Sequence, residues 1–362
     1  MVSVCTGAQW GRCGLSECSW DADVTATHTR MAVRLVEFHD VVDKALIQSW
    51  IQPHVATPLH ETRYDTLTIT PSLADDLADS DPSIVNLRLN RPTKLNAFNM
   101  QMWSELESFF QQVEATPSVR AVVIRGEGRG FSSGMDLQVF AAMQEIMGTI
   151  PCNAKKRERL MQLIRRFQHI VSAPERSRVP VIAAVHGICW GGAVDFITAC
   201  DLRVCDISAD FSVKEIDLAI VADVGTLQRL PLLVGEQRAK ELSYTGRSFF
   251  GTEAERIGYI AACFLATMYI PSSLQSCGRL VLEAHVDSSA LFAHAATLAA
   301  SIASKSPVTI RGIKKTIQYR RDHTTDDSLR QVEHWNAAML QSEDLVEAFT
   351  AMTSKKTPQF RD

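Results

Sequence analysis

Two apolar runs, each followed directly by a glycine-rich turn, place the strongest limit on the fold of this chain. Val119–Arg125 and Val179–Val185 are rich in β-branched residues, which favour strands, and helical stretches lie between them. The turns that follow are GEGRGFSSGMDL, residues 126–137, and GICWGGAVDF, residues 187–196. This order of strand, turn and helix predicts βαβ units, and therefore an α/β fold.

The two turns also have the composition of a site for a negatively charged group. Glycine lets the backbone approach a ligand closely. Gly191 and Gly192 stand between a strand and a helix, so the first helical N–H groups lack a partner within the helix. If one N–H from each turn converged, the pair would form an oxyanion hole. Taken singly, either turn is more simply a tight connection.

Sequence on either side of the turns predicts the remaining framework. Ile84–Leu89 alternates apolar and polar residues as a half-buried strand does, and Asn99 can cap a helix after it. Phe292–Ala303 and Leu329–Leu340 have helical periodicity. Strands early and helices late predict a sheeted core with a helical C-terminal layer. We expect three parts: a partly irregular N-terminal extension over 1–80, a core over 81–290, and a helical region over 291–362.

Composition excludes several kinds of partner. The chain has 362 residues and a formal net charge of −4, so it has no basic field that would attract nucleic acid. Its longest apolar stretch, Ile260–Ile270, is shorter than the roughly 20 residues that a membrane-spanning helix needs. Nine cysteines without C-x-x-C spacing predict neither a zinc site nor a disulfide framework. We expect no nucleic-acid partner, no membrane span and no bound metal.

A third segment, VNLRLNRPTKLNAF at residues 85–98, completes a family pattern. Together with the two turns, in this order and spacing, it resembles the crotonase superfamily of enoyl-CoA hydratases and isomerases. The resemblance implies a spiral of ββα units forming two sheets, with a C-terminal helical region that makes trimer contacts. It also implies homotrimers or hexamers, an acyl-CoA thioester substrate, and no cofactor beyond the coenzyme A of that substrate.

The same resemblance assigns residues to the binding site. It implies that the oxyanion donors are the backbone N–H groups of Ser133 and Gly192. The residues that it assigns to the coenzyme-A channel are Ser133, Gly134, Met135, Asp136 and Leu137, with Gly192.

Downstream, SVKEIDLAIVADVGTLQRLP at residues 212–231 resembles the signature of the Δ3,5-Δ2,4-dienoyl-CoA isomerases. This narrower resemblance implies Asp195, Glu215 and Asp223 as catalytic acids. Asp223 discriminates, since a hydratase of the superfamily usually has an apolar residue or glycine there. The resemblance also implies a role in oxidation of unsaturated fatty acids in a mitochondrial or peroxisomal matrix, although we find no clear targeting signal.

The reaction explains why two acids are required. Converting a 3,5-dienoyl thioester to its 2,4-isomer removes a proton at C2 and adds one at C6, and one carboxylate does not easily reach both. Burial and repulsion between carboxylates would raise at least one pKa, so that an acid holds a proton near neutrality. We predict that Glu215 is the base at C2, that Asp223 is the acid at C6, and that Asp195 positions or tunes them.

Alternatives remain for the acids and for the function. Asp223 could cap a helix that starts near Val224. Glu215 could be a solvated partner of Lys214, and Asp195 could offset a helix dipole. The protein could instead be a 2-enoyl-CoA hydratase that uses Asp195 and Glu215 on a water and leaves Asp223 idle. It could also be a catalytically inactive scaffold of this fold that binds acyl-CoA or a protein.

Two further features fall outside the pattern. Residues 263–279, CFLATMYIPSSLQSCGR, stand where the family has a short connection, and we interpret them as an insertion. Lys314 and Lys315 are interpreted as a solvated basic pair, with contact to coenzyme-A phosphates as the alternative.

Overall fold

The computed structural model describes residues 59, 62–70, 81–264, 267–269 and 285–361. The strands are β1 (Leu67–Thr70), β2 (Ile84–Leu89), β3 (Ala121–Gly126), β4 (Gly130–Ser132), β5 (Val181–Val185), β6 (Ile188–Trp190), β7 (Leu202–Asp206), β8 (Asp210–Ser212), β9 (Phe249–Phe250), β10 (Ala262–Phe264), β11 (Thr267–Tyr269) and β12 (His285–Asp287). The helices are α1 (Met100–Ala115), α2 (Leu137–Gly148), α3 (Asn153–Val171), α4 (Ala173–Arg176), α5 (Gly192–Thr198), α6 (Thr226–Val234), α7 (Glu236–Thr245), α8 (Gly251–Arg256), α9 (Ser289–Ala303), α10 (Pro307–Tyr319), α11 (Thr325–Met339) and α12 (Glu343–Ser354), with 3₁₀ turns at Pro92–Lys94 and Lys214–Leu218.

Most strands belong to two sheets. The larger has six strands in the order β1-β2-β3-β5-β7-β10, all parallel except that β1 is antiparallel to β2. The smaller has four strands in the order β4-β6-β8-β9, parallel except for β9. Consecutive strands alternate between the sheets, as β3 then β4, β5 then β6, and β7 then β8. Because β4, β6 and β8 are parallel, the connections that follow them leave the same end of the small sheet.

The large sheet is buried on both faces. In β3, Val122 and Ile124 point into the main core, whereas Ala121 and Val123 point to the opposite face. Helix α9 covers that opposite face with side chains at four-residue intervals, Leu291, Ala295, Ala299 and Ala303. Burial on both faces explains why β3 and β5 are continuous apolar runs.

The elements predicted from local patterns are present with small shifts. The predicted strand Ile84–Leu89 is β2, and the two runs before the glycine-rich turns are β3 and β5, each beginning two residues later than predicted. Helix α1 begins after Asn99, whose side-chain oxygen accepts the N–H of Met102 at 2.9 Å, so the predicted cap is confirmed. The two predicted C-terminal helices are α9 and α11.

Two strands lie close to the predicted divisions of the chain. Strand β1 precedes residue 81 and pairs with β2. Strand β10 pairs with β7 at the sheet edge and includes Cys263 and Phe264, the first two residues of the expected insertion. Residues 265–266 and 270–279 of that segment, like most of 1–80, lie outside the described residues. The division at residues 80 and 290 stays a prediction.

Lys314 is buried, so its interpretation as a solvated cation is wrong. Its Nζ donates to Asp201 Oδ2 at 2.7 Å and to the carbonyls of Pro174 and Val179, both at 2.9 Å. These three acceptors replace its hydration. The bonds tie α10 to the segment before β5 and to the start of β7. Lys315 is exposed.

We expect Lys314→Ala to lower the free energy of unfolding by about 3 kcal/mol, because it leaves the Asp201 carboxylate largely buried without its cation. Urea unfolding measures this loss. The matched control is Lys315→Ala, which removes only an exposed contact with the Trp335 ring and should cost at most about 1 kcal/mol. Equal losses in the two variants would contradict the assignment.

Candidate active site

A cavity of about 680 Å³ opens between helices α2 and α3 on one side and the 3₁₀ turn Lys214–Leu218 on the other. Apolar side chains from the two helices form one wall, namely Phe140, Met143, Leu160, Ile164 and Phe167. Of the residues singled out from the sequence, those lining the cavity are Ser133, Met135, Asp136, Leu137, Gly192, Glu215 and Asp223. Gly134 and Asp195 are buried behind its surface.

The loop that follows β4 is held by the first family segment. Phe98 N–H donates to Gly134 O at 2.7 Å, and Asp136 N–H donates to Phe98 O at 3.1 Å. Ser133 N–H donates to Leu95 O at 2.9 Å. The prediction of Ser133 as an oxyanion donor is therefore wrong, because its N–H is already used within the protein and is not available to a ligand.

The Met135 nitrogen lies beside the second turn. A Cβ atom on Gly192 would lie 3.7 Å from the Met135 nitrogen. The bonds that hold the loop use the flanking Gly134 carbonyl and Asp136 N–H, and Met135 N–H takes no part in them. Gly192 is the first residue of α5, so its N–H has no acceptor within that helix. The two N–H groups can therefore serve one oxygen between the turns.

Gly134 allows the turns to come this close. Its φ is +83°, and a Cβ atom there would lie 2.5 Å from Trp190 O and 3.0 Å from Gly192 N. A side chain would therefore separate the turns as well as strain the backbone. The neighbouring Asp136 is committed to structure: its carboxylate accepts Gln138 N–H at 3.1 Å, as the cap of α2, and also pairs with Arg91 at 3.1 Å.

Glu215 lies beside the second turn. Its Oε1 is 3.3 Å from the position of a Cβ atom on Gly191. Lys214 pairs with Asp217 at 3.1 Å, so the interpretation of Glu215 as a solvated partner of Lys214 is wrong. Burial first, and then the charge of Asp195, raises the pKa of Glu215 to about 8. Glu215 therefore keeps its proton to a higher pH than an exposed glutamate does.

Asp195 is fully buried and contacts Glu215. Its Oδ1 accepts the Thr226 N–H at 2.6 Å, so this side chain in α5 caps α6, whose own N-cap residue is a glycine. Burial raises the pKa of Asp195, while the bonds from Thr226 oppose that rise. Asp195 Oδ2 and Glu215 Oε2 have no donor among the described residues. A proton held on Glu215 and shared with Asp195 supplies that donor.

Asp223 lines the same cavity as Glu215, on the stretch that leads into α6. It does not cap that helix, because Gly225 occupies the N-cap position. The backbone carbonyl of Asp223 accepts Gln168 Nε2 at 2.7 Å, which holds this stretch against α3. The Asp223 residue is exposed overall, but its carboxyl group is partly desolvated, and this desolvation raises its pKa.

Local sequence carried no signal for two features of this site. The sequence predicts Met135 only as a lining residue. The pairing of residues 95–98 with the loop determines which backbone N–H groups of the loop are already used, and this pairing is not visible in the local sequence. The bond from Asp195 to Thr226 spans 31 positions. Within the described residues, no cluster of His, Cys, Asp and Glu is arranged to hold a metal ion, and no helix is long and apolar enough to cross a bilayer.

Comparison with known proteins agrees with this architecture. A family model described as enoyl-CoA hydratase/isomerase matches residues 79–281. The chain belongs to this family. It is 37% identical over 282 residues to the peroxisomal Δ(3,5)-Δ(2,4)-dienoyl-CoA isomerase of Arabidopsis thaliana, covering 78% of this chain and 94% of that protein. It is 38% identical over 275 residues to the mitochondrial enzyme of that name from Mus musculus, covering 75% and 77%.

A solved structure shows the fold of the family. The crystal structure of an enoyl-CoA hydratase from Bacillus anthracis has a TM-score of 0.65 at 27% identity, covering 82% of this chain and 99% of that one. The crotonase-like α/β fold predicted from the sequence, with its ββα units and C-terminal helices, is confirmed.

The raised pKa of Glu215 predicts a pH-dependent cost to stability. The folded protein favours the protonated form, whereas the unfolded chain ionises near the ordinary pKa of 4.5, so stability falls as the pH rises from about 4.5 to about 8. Glu215→Gln removes this ionisation. We expect the variant to melt several degrees higher than the parent at about pH 9, with little difference near pH 4.5, by differential scanning fluorimetry. The exposed Glu333→Gln is the control, and a similar gain there would contradict the prediction.

The close approach at Gly134 predicts a position-specific cost. Gly134→Ala places a methyl group against Trp190 O and Gly192 N, so we expect a loss of unfolding free energy of more than about 1 kcal/mol. Gly148→Ala is the matched control, because a Cβ atom there meets nothing within 4 Å. Urea titration of both variants checks this, and an unaffected Gly134→Ala would show that the turns are not in contact.

Proposed function

We propose that this protein is a Δ3,5-Δ2,4-dienoyl-CoA isomerase. The observation that carries the proposal is the second acid: Asp223 lines the same cavity as Glu215. A shift of two double bonds needs proton transfer at two distant carbons, which this pair of acids can provide. The names of the relatives from Arabidopsis thaliana and Mus musculus support the same reaction.

In the proposed mechanism, the thioester oxygen accepts hydrogen bonds from the N–H groups of Met135 and Gly192. These donors stabilise the negative charge that develops when C2 loses a proton. Glu215 lies next to this position through its contact with Gly191, which supports its role as the base at C2.

Each turnover moves one proton out and one in. The ionised Glu215 takes a proton from C2, and the C2–H electron pair forms the C1–C2 double bond of an enolate while the C=O π pair moves onto the thioester oxygen. When the oxygen pair re-forms C=O, the C1–C2 π pair becomes the C2–C3 double bond, the C3–C4 π pair moves to C4–C5, and the C5–C6 π pair forms a C–H bond at C6 with the proton of Asp223. Asp195 is a positioning residue that holds Glu215 and raises its pKa. The reactive form has Glu215 ionised and Asp223 protonated, so we expect kcat/KM to pass through a maximum and to fall at both lower and higher pH.

The remaining surface of the cavity fits an acyl-CoA. Apolar side chains of α2 and α3 would pack against the acyl chain, and the loop Ser133, Gly134, Met135, Asp136 and Leu137, with Gly192, would line the thioester and pantetheine path. The reaction moves protons only, so it requires no cofactor beyond the coenzyme A of the substrate. The names of relatives support a mitochondrial or peroxisomal matrix as the location.

We also propose a homotrimer, or a hexamer formed from two trimers. Helices α10 to α12 expose large apolar side chains around a groove of about 660 Å³. Those lining the groove include Ile313, Ile317, Met339 and Leu340. Such a surface is typical of contacts between copies of a chain. Light scattering coupled to size-exclusion chromatography tests this, and a monomer would contradict it.

Two other functions are tested by one substrate panel. A 2-enoyl-CoA hydratase would hydrate 2-enoyl thioesters and leave 3,5-dienoyl thioesters unchanged. An inactive scaffold would bind acyl-CoA and turn over neither. We expect purified protein to convert 3,5-dienoyl-CoA to the conjugated 2,4-isomer, followed by ultraviolet absorbance, faster than it acts on 3-enoyl or 2-enoyl thioesters.

Asp223→Asn keeps the shape of the side chain but removes the acid at C6. We expect isomerisation to fall by at least ~10²-fold, the usual contribution of general acid-base catalysis. Folding should be unaffected because Asp223 caps no helix and its side chain is exposed. Asp326→Asn, on the distant helix α11, is the control and should retain full activity. A wild-type rate in Asp223→Asn would show that this acid has no catalytic role.

A further inference from the structure

This inference rests on the proposed isomerase function. The chemical step of that reaction does not restore the protonation states of Glu215 and Asp223. After one turnover Glu215 holds the proton from C2, and Asp223 has lost its own. Before the next turnover Glu215 must lose a proton and Asp223 must gain one. The C6 proton therefore comes either from C2, passed on through the protein, or from solvent.

The contacts of the acids do not favour direct transfer. Glu215 lies against Gly191 of the second turn, and among the described residues its Oε2 has no hydrogen-bond donor that could begin a chain toward Asp223. Both acids face the cavity, so a bound acyl chain would occupy the space between them. A relay within the protein would need a chain of hydrogen bonds between Glu215 and Asp223.

Asp223 also lines a second cleft, of about 440 Å³, beside the stretch that leads into α6. Its polar lining residues are Gln168, Ser172, Glu175, Gln228, Arg229 and Arg321. Polar walls of this kind hold water. Asp223 and Val224 line both the cleft and the cavity, so the two adjoin at these residues.

Ion pairs fix the walls of this cleft. Arg229 donates to Glu175 Oε2 through Nη2 at 2.7 Å and through Nε at 3.1 Å, and it also donates to Ser172 Oγ at 2.8 Å. Arg321, just beyond α10, pairs with the other oxygen of Glu175. Helices α4, α6 and α10 are therefore held together around the cleft, which keeps it open beside Asp223.

We propose that this second cleft is a proton-exchange path that connects Asp223 to solvent, so that the hydrogen added at C6 comes from water and not from C2 of the substrate. The cleft reloads Asp223 from the side opposite the acyl chain. The proton lost from C2 then passes to solvent, and the proton gained at C6 comes from solvent.

Isotopic labelling tests the source of the proton. A catalytic amount of enzyme converts 3,5-dienoyl-CoA carrying deuterium at both C2 positions over many turnovers in ordinary water, the reaction is stopped at low conversion, and mass spectrometry with NMR locates the deuterium in the product. We expect deuterium at C6 in less than half of the product, and, with unlabelled substrate in D2O, deuterium at C6 in most of it. Deuterium from C2 in half or more of the product would overturn the proposal. Absence of any 2,4-dienoyl product would instead refute the isomerase function.

A variant tests the path itself. Gln228→Trp would fill the cleft from an exposed position on α6, and Gln237→Trp on α7 is the matched control outside it. We expect Gln228→Trp to lower kcat several-fold while the first turnover keeps the parental rate, because only the reloading of Asp223 is slowed. Gln237→Trp should match the parent in both measurements. A parental kcat in Gln228→Trp would show that this cleft is not the path.

Discussion

The site depends on one close contact between two backbone turns. The loop after β4 meets the turn after β6 where Gly134 has no side chain, and Met135 lies beside Gly192 as a result. Parallel pairing of β4 with β6 brings the two turns to the same end of the small sheet. Residues 95–98 then fix the first turn through backbone bonds. Any change that separates the turns would separate this pair of backbone donors.

The position of Asp195 links the two backbone turns to the other acids of the cavity. Asp195 sits one helical turn after Gly192, so the helix that supplies an N–H donor also carries the carboxylate beside Glu215. The same carboxylate caps α6, the helix that follows Asp223. One buried side chain therefore relates the positions of the oxyanion pair, the base and the second acid. The desolvation that raises the pKa of Glu215 is a cost to stability that the surrounding core must offset.

The features that followed from the sequence were those determined by neighbouring residues or by a family pattern. The Asn99 cap, the bounds of β2 and the choice of Gly192, Glu215 and Asp223 as cavity residues are of this kind. The prediction of Ser133 N–H as an oxyanion donor is wrong because this N–H donates to the carbonyl of Leu95, which is distant in sequence. The interpretation of Lys314 as a solvated cation is wrong because its three hydrogen-bond acceptors come from segments more than 100 positions away. Local chemistry predicts which groups are available, and only tertiary pairing decides which of them are already used.

The packing of helix α9, largely through alanines, on the second face of the large sheet has a consequence for biosynthesis. Strands β3, β5 and β7 are complete by residue 206, but the helix that buries their second face ends at Ala303. A growing chain therefore carries an uncovered apolar sheet face while about a hundred further residues are translated. During that interval the nascent protein is a substrate for chaperones that recognise exposed apolar strands, and premature termination anywhere in it would release an aggregation-prone fragment.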